Sequence, residues 1–225
     1  MQPLIRLTRP ARPEDAFAAS ELIALSMHEM GDALFGLDDH SRQLRVLARL
    51  FQRPGNRFSY SWTHLAESDG QIAGLLLAYP GTKQAQLNFG LFLRLWSIYD
   101  LAGGLRFIRR AALLAPYKEV ETGELLVANL AVFSRFEGRG IARSLLHKAE
   151  ELARALGIRR MTLTVDLDND RARRLYERQG YTLDISHRTP HLAALLHTRG
   201  FDRLVKGLGP FQEGSLANPL ETTIE

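Results

Sequence analysis

The sequence predicts a mixed α/β fold, and three observations carry that prediction. An apolar run at residues 125–132 feeds a glycine-bearing turn, and the turn opens an amphipathic helix at 141–156 that stops at Gly157. Two candidate strands, 56–66 and 71–79, flank Ser68-Asp69-Gly70, which suits the turn of an antiparallel hairpin. A strand, a helix and a strand then follow at 160–165, 169–178 and 181–185. The elements therefore imply a mixed sheet flanked by helices.

Composition narrows the classes of function. The 225 residues are 45% hydrophobic and 24% charged, enough for a sizeable core. With no cysteine there is no disulfide, no thiolate nucleophile and no cysteine-based zinc site, which fits a reducing cytoplasm. No apolar run reaches the roughly 18 residues of a membrane span, and the first residues lack a signal-peptide pattern. The net charge is +4, yet no basic tail or aromatic-interleaved patch points to nucleic acid. Arginines gather instead around the glycine turn and at Arg171, Arg173 and Arg174, as a phosphate-bearing small ligand requires.

Taken in order, residues 4–8 form a first strand. Pro13-Glu14-Asp15 starts a helix that runs to about Met27, with Phe17, Leu22, Ile23 and Leu25 apolar. A polar stretch at 31–39 precedes a second helix, from near Ser41 to Pro54-Gly55. Phe58, Tyr60 and Trp62 alternate with polar residues and predict the strand over 56–66. Residues 82–120 form a helical insertion, two helices jointed at Gly103-Gly104 and ending at Pro116. They act either as core helices or as an amphipathic flap. Asp168 is placed to cap the helix at 169–178, which ends at Gly180. Residues 190–199 hold a short helix, 201–205 a last strand, and 209–225 a tail, so 1–208 forms one domain.

The chemistry centres on Arg135-Phe136-Glu137-Gly138-Arg139-Gly140-Ile141-Ala142. A helix start offers unpaired N–H groups and the positive end of its dipole, and glycines let a ligand approach the backbone. The stretch is an anion cradle for a phosphate or pyrophosphate. No Lys-Ser/Thr follows, as a P-loop needs, and the third glycine of a dinucleotide-binding fingerprint is missing.

These residues resemble the GNAT superfamily of acetyl-CoA-dependent N-acetyltransferases. Arg135-x-x-Gly138-x-Gly140 matches the family's Arg/Gln-x-x-Gly-x-Gly/Ala, with Ala142 following. Asn129-Leu130-Ala131-Val132 looks like its central strand, and Asp168-Asn169, Ala172, Leu175-Tyr176-Glu177 and Gly180-Tyr181 look like its second block. The resemblance implies a mostly antiparallel mixed sheet splayed at the central strand. It also implies acetyl-CoA as cosubstrate, an amine acceptor (small molecule or peptide) attacking directly in a ternary complex, and no metal. A non-catalytic acyl-CoA-binding or interaction module is the alternative, and a homodimer is compatible with the apolar insertion.

The resemblance also implies roles for particular residues. The N–H groups of Phe136, Glu137, Gly138, Arg139, Gly140, Ile141 and Ala142 hold the pyrophosphate, with charge from Arg135 and Arg139. Leu130, Ala131 and Val132 hold the pantetheine arm, and Asn169 and Ala172 contact the donor beside Tyr176. One of Arg171, Arg173 and Arg174 reaches the CoA 3′-phosphate. An amine of pKa about 10.4 needs roughly 4–5 kcal/mol to lose its proton at pH 7, so a base is useful. Glu124, fourteen positions ahead of Gly138, is the candidate base, or else a solvated strand-start residue. Tyr176 is the candidate acid for the leaving thiolate, or else a packing tyrosine. His28, with Glu29, and the trio His187, His191 and His197 lie where they could line the acceptor pocket, without metal-ligand spacing.

Overall fold

The computed structural model describes residues 7–209. Among them, seven strands form one sheet: β1 (Leu7–Pro10), β2 (Thr63–Ser68), β3 (Gln71–Pro80), β4 (Glu124–Val132), β5 (Arg160–Asp166), β6 (Thr182–Arg188) and β7 (Gly200–Gly207). Their order is β1-β2-β3-β4-β5-β7-β6, and every neighbouring pair is antiparallel except β4–β5. The helices are α1 (Ala16–Gly31), α2 (His40–Phe51), α3 (Gln84–Trp96), α4 (Leu101–Ala112), α5 (Ile141–Ala155), α6 (Asp170–Arg178) and α7 (Ala193–Leu196). Residues 4–6 of the expected first strand and 210–225 of the expected tail lie outside the described residues.

Strand β3 shows how the layers are divided. Leu75, Leu77 and Tyr79 point to one face and join Leu22, Ile23, Leu47 and Leu50 of α1 and α2 in one core. Leu76 and Ala78 point to the other face and join Leu145, Leu146 and Ala149 of α5. Period-two alternation on a strand buried on both sides gives each face its own core. Burying each such leucine contributes about 1.5–3 kcal/mol. At Gly74 an added Cβ sits 2.8 Å from the Ala131 carbonyl oxygen and 3.1 Å from Ile141 and Leu145, so only glycine lets α5 lie this close.

Local hydrogen bonding explains where the sequence reading and the structure differ. The strand expected over 56–66 begins only at Thr63, after a 3-10 turn at Tyr60–Trp62. Buried Asn56 donates to the carbonyls of Leu50 and Arg53, at 2.9 and 2.8 Å, and accepts from the Phe58 N–H at 2.9 Å. Those side-chain bonds offer the backbone a loop instead of a ladder. Gly103-Gly104 is not the joint of the insertion but the first turn of α4, where Asp100 caps by accepting from the Gly103 N–H at 2.8 Å. α4 ends at Ala112, ahead of the expected Pro116. The expected polar stretch at 31–39 is wound into a π-turn, Asp32–Gly36. Asn169, not Asp168, caps α6, accepting from the Ala172 N–H at 3.0 Å, while Asp168 faces Arg199 in an exposed pair.

The sheet opens at its centre. β4 pairs with β5 only through Glu124↔Arg160, Leu125↔Met161 and Leu126↔Thr162. On its other side β4 shifts register against β3, from Leu77↔Asn129 to Ala78↔Val127, so Ala128 is an extra residue that bends the strand away from β5. Beyond Leu126 the two strands part, and a wedge forms between them.

Candidate active site

A cavity of about 940 Å³ occupies the wedge and continues under α3 and α4. Asn129 to Val132 line it from β4, Thr164 to Asp166 from β5, and Asn169, Ala172, Leu175 and Tyr176 from the start and inner face of α6. Its outer end is the glycine turn, where Phe136, Glu137, Gly138, Gly140, Ile141 and Ala142 all line the wall. Gly138 and Gly140 hold φ of 73° and 74°, the left-handed region that glycine adopts without strain. Two such residues let the chain leave β4 and enter α5 with the first-turn N–H groups facing outward. A Cβ added at Gly138 meets nothing within 4 Å, so the space over that backbone is open. The Phe136 and Glu137 N–H groups, expected among the donors, are instead bonded to the Phe133 and Ser134 carbonyls at 2.8 and 3.1 Å, which leaves the N–H groups from Gly138 onward for a pyrophosphate.

The two expected turn arginines are used elsewhere. Arg135 lies over the rings of Phe133 and Phe136, at 4.7 and 4.9 Å, and Arg139 donates to Asp69 in the hairpin turn at 2.8 Å. Neither lines the cavity; Arg143 and Arg171 do. Arg143 is in the first turn of α5, so its position beside the cradle was readable from the helix start. Arg171 pairs with Glu137 at 2.6 Å across the mouth. Arg173 pairs with buried Asp202, and Arg174 is not part of the wall.

Tyr176 faces the cavity while being only 8% exposed, and it packs edge-on to Tyr181 at 5.9 Å. Burial pushes its phenol up to about 12. Glu124 is elsewhere. It starts β4, 2% exposed, and does not line the cavity. One carboxylate oxygen pairs with Arg203 and accepts the Glu121 N–H at 2.8 Å. The other faces Arg160 Nε at 3.1 Å, an ion contact without hydrogen-bond alignment. A buried carboxylate costs several kcal/mol unless paired, and two arginines supply that pairing.

Of the two titratable residues on the acceptor side of the cavity, His28 was expected there from the sequence and Asp166 was not. Burial raises the Asp166 carboxyl, with His28 and the Thr198 hydroxyl at 3.4 Å opposing the shift. His28 interrupts α1 at φ 48° and ψ −147°, and its Nε2 lies 3.3 Å from the Asn169 side-chain nitrogen. Such a conformation costs a non-glycine residue about 1–3 kcal/mol, and strain of this kind gathers at functional sites. Asp166 gave no signal because it sits outside both family blocks. His187 packs against Tyr117 and Phe201, His197 lies 3.9 Å from Glu29, and the His191 side chain falls outside what the structure describes. Among the described residues no group of three or more His, Asp or Glu is placed to hold a metal ion.

A sheet splayed beside a bulged strand, with a glycine turn at the wedge's end and a tyrosine inside it, defines the acetyltransferase class. The family model for the acetyltransferase (GNAT) family matches residues 26–181, and the chain belongs to that family. It is 42% identical over 66 residues to GCN5-related N-acetyltransferase 4, chloroplastic, of Arabidopsis thaliana, covering 29% of this chain and 23% of that protein. It is 36% identical over 88 residues to the mycothiol acetyltransferase of Beutenbergia cavernae, covering 39% of this chain and 28% of that one. The chain thus spans about a quarter of the length of these curated relatives. An N-acetyltransferase from Staphylococcus aureus Mu50 shares the fold, with a TM-score of 0.66 at 23% identity over 88% of this chain and 99% of its own.

Proposed function

We propose that the chain transfers an acetyl group from acetyl-CoA to an amine, by direct attack of the amine on the thioester. The observation that carries this reading is a single cavity joining the glycine turn, the β4–β5 wedge and Tyr176. Backbone N–H groups from Gly138 to Ala142 hold the pyrophosphate, helped by Arg143 and Arg171 rather than by Arg135 and Arg139. The backbone of Leu130 to Val132, paired with β3 but without a ladder partner on its β5 side, holds the pantetheine arm, and the Asn169 cap presents Ala172 and Tyr176 to it. When bound, acetyl-CoA supplies the activated acyl carbon.

As the amine nitrogen bonds to that carbon and the C–S bond breaks, charge builds on sulfur beside the Tyr176 hydroxyl. A phenol near 12 facing a thiol near 8.5 makes full proton transfer uphill by about 5 kcal/mol. Tyr176 therefore donates a hydrogen bond that strengthens as sulfur gains charge, and the proton lost by the amine nitrogen is taken up by the departing sulfur, so CoA leaves as the thiol. Glu124, held by two arginines, has no part in this step.

We further propose a cytoplasmic setting, where acetyl-CoA is available, and self-association through the exposed apolar face of α3 and α4 (Phe89, Phe92, Leu93, Trp96, Leu101 and Leu105). The test of function is CoA release from acetyl-CoA across a panel of amines. Tight CoA binding with no turnover on any acceptor overturns the transferase reading.

A further inference from the structure

Beyond Tyr176 the cavity becomes a chamber whose walls differ from those of the donor wedge. Phe35, Phe58 and Phe107 form one aromatic cluster, with Phe35 5.1 Å from Phe58 and 5.5 Å from Phe107. Tyr117 and Phe201, 5.4 Å apart, form a second, backed by His187. Met27, Met30, Leu91 and Leu114 contribute further apolar wall. Helices α3 and α4 contribute Leu91 and Phe107, so the insertion shapes the chamber itself.

At the aromatic end the charged groups are matched to each other, while Arg57 Nε and Gln84 Oε1 keep no hydrogen-bond partner. Arg57 pairs with Glu119 at 3.0 Å, and the Gln84 amide donates to the same carboxylate at 3.0 Å. Burial works against the Arg57 charge, but Glu119 outweighs it and keeps the guanidinium ionised. That end of the chamber is therefore neutral as a unit. A second ammonium, as in a polyamine, or a carboxylate, as in an amino acid, meets no unpaired counter-charge there. An extended peptide meets ring faces and hydrocarbon in place of the backbone donors and acceptors that recognise it.

We infer that the acceptor is a small primary amine carried on an apolar, ring-bearing body. Its ring sits between the two aromatic clusters, and its nitrogen is delivered to the β4–β5 wedge. Offset and edge-on contacts favour a flat ring in such a slot. Ligand pockets of about 300–1,000 Å³ hold one drug-sized molecule, and 940 Å³ here accommodates a donor arm plus a small acceptor. The inference rests on the proposed acetyl transfer for its chemistry, though the chamber's preference can be read without turnover.

The experiment has two arms. In the first, kcat/KM with acetyl-CoA is compared for 2-phenylethylamine, ethylamine, spermidine and a lysine-containing peptide. The ring amine is expected to exceed ethylamine by about 10²-fold, the worth of burying one phenyl ring. In the second, binding of the same amines to protein saturated with CoA is followed by calorimetry. Ala111→Trp, which adds a ring from half-buried Ala111 on the α4 wall, is expected to raise KM for 2-phenylethylamine about tenfold or more. Its KM for acetyl-CoA is expected to stay within about twofold, since Ala111 belongs to the α4 wall and not to the β4–α5 turn or to α6. A preference for spermidine or the peptide overturns the inference and leaves acetyl transfer standing. Ring-amine binding without turnover upholds the chamber and removes the transferase reading. Absence of both binding and turnover removes both.

Discussion

Glu124 and Arg203, 79 positions apart in sequence, form a buried ion pair that ties the first residue of β4 to the middle of β7. Arg203 also holds Asp184 on β6, and Arg160 reaches both carboxylates from β5. The cluster sits where β4 and β5 share their three backbone pairs. Without Glu124 the two arginines share Asp184 alone, which leaves one positive charge uncompensated, so Glu124→Ala is expected to destabilise the fold by up to about 3–5 kcal/mol. Urea unfolding measures this. At a temperature where the variant stays folded, its KM for acetyl-CoA is expected to match the parent; a folded variant with kcat lowered 10²-fold or more would return the base role to Glu124.

Tyr176→Phe keeps the ring in its packing site and deletes only the hydroxyl. Proton or hydrogen-bond help of this kind is typically about 10²–10⁴-fold, so kcat is expected to fall at least about 10²-fold while the Kd for CoA stays within about twofold. The phenol is raised to about 12, so it stays protonated across the working range. Any fall in rate between pH 8 and 10 therefore comes from another group and is shared by parent and variant. An alkaline limb lost in the variant contradicts the assignment.

Asp166 makes a pH-dependent claim about stability. Burial raises its folded carboxyl above the unfolded value. Its stabilising share is thus present below the unfolded pKa and is lost as pH rises through the folded one. Asp166→Asn, a neutral isostere, is accordingly expected to raise Tm at pH 7.5 and to bring no gain at pH 3.5. Thermal melts at the two pH values check the sign, and an equal shift at both refutes it.

Gly138 and Gly55 form a controlled pair. Both hold positive φ, 73° and 80°, and a Cβ at either meets nothing within 4 Å. Alanine at each position is expected to cost about 1 kcal/mol, because the backbone strain is the same. Only at Gly138 does the new methyl enter the cradle. Gly138→Ala is therefore expected to weaken CoA binding about tenfold, and Gly55→Ala to leave it unchanged, as read by calorimetry.

The donor half was legible because its signals are local. The run from Leu125 to Val132, the glycines at 138 and 140 and the Asn169–Tyr176 block each carry their meaning within a few residues, and the family resemblance joined them. Asp69-Gly70 likewise dictated the hairpin, with both residues at positive φ. What failed depended on partners distant in sequence. Nothing near Glu124 announces Arg203, so a residue at a familiar offset looked free when it was bound. The loop at 56–62 alternates like a strand, but three hydrogen bonds from Asn56 outweigh the pattern. The acceptor chamber is drawn from α1, the Asp32–Gly36 turn, α3, α4 and β7, and no local window shows that Phe35, Phe107 and Phe201 face one space.

The parting of β4 from β5 after only three pairs leaves an edge inside the sheet, not merely at its rim. Along 127–132 the β4 backbone facing β5 has no ladder partner there. Exposed ladder groups are templates for adventitious strand pairing. Under the proposed function, an extended pantetheine arm in the wedge would act as a surrogate strand, and CoA is expected to slow aggregation by covering that edge. Donor availability is thereby expected to set how long the protein stays monodisperse. Light scattering on warmed samples with and without CoA reads that link directly.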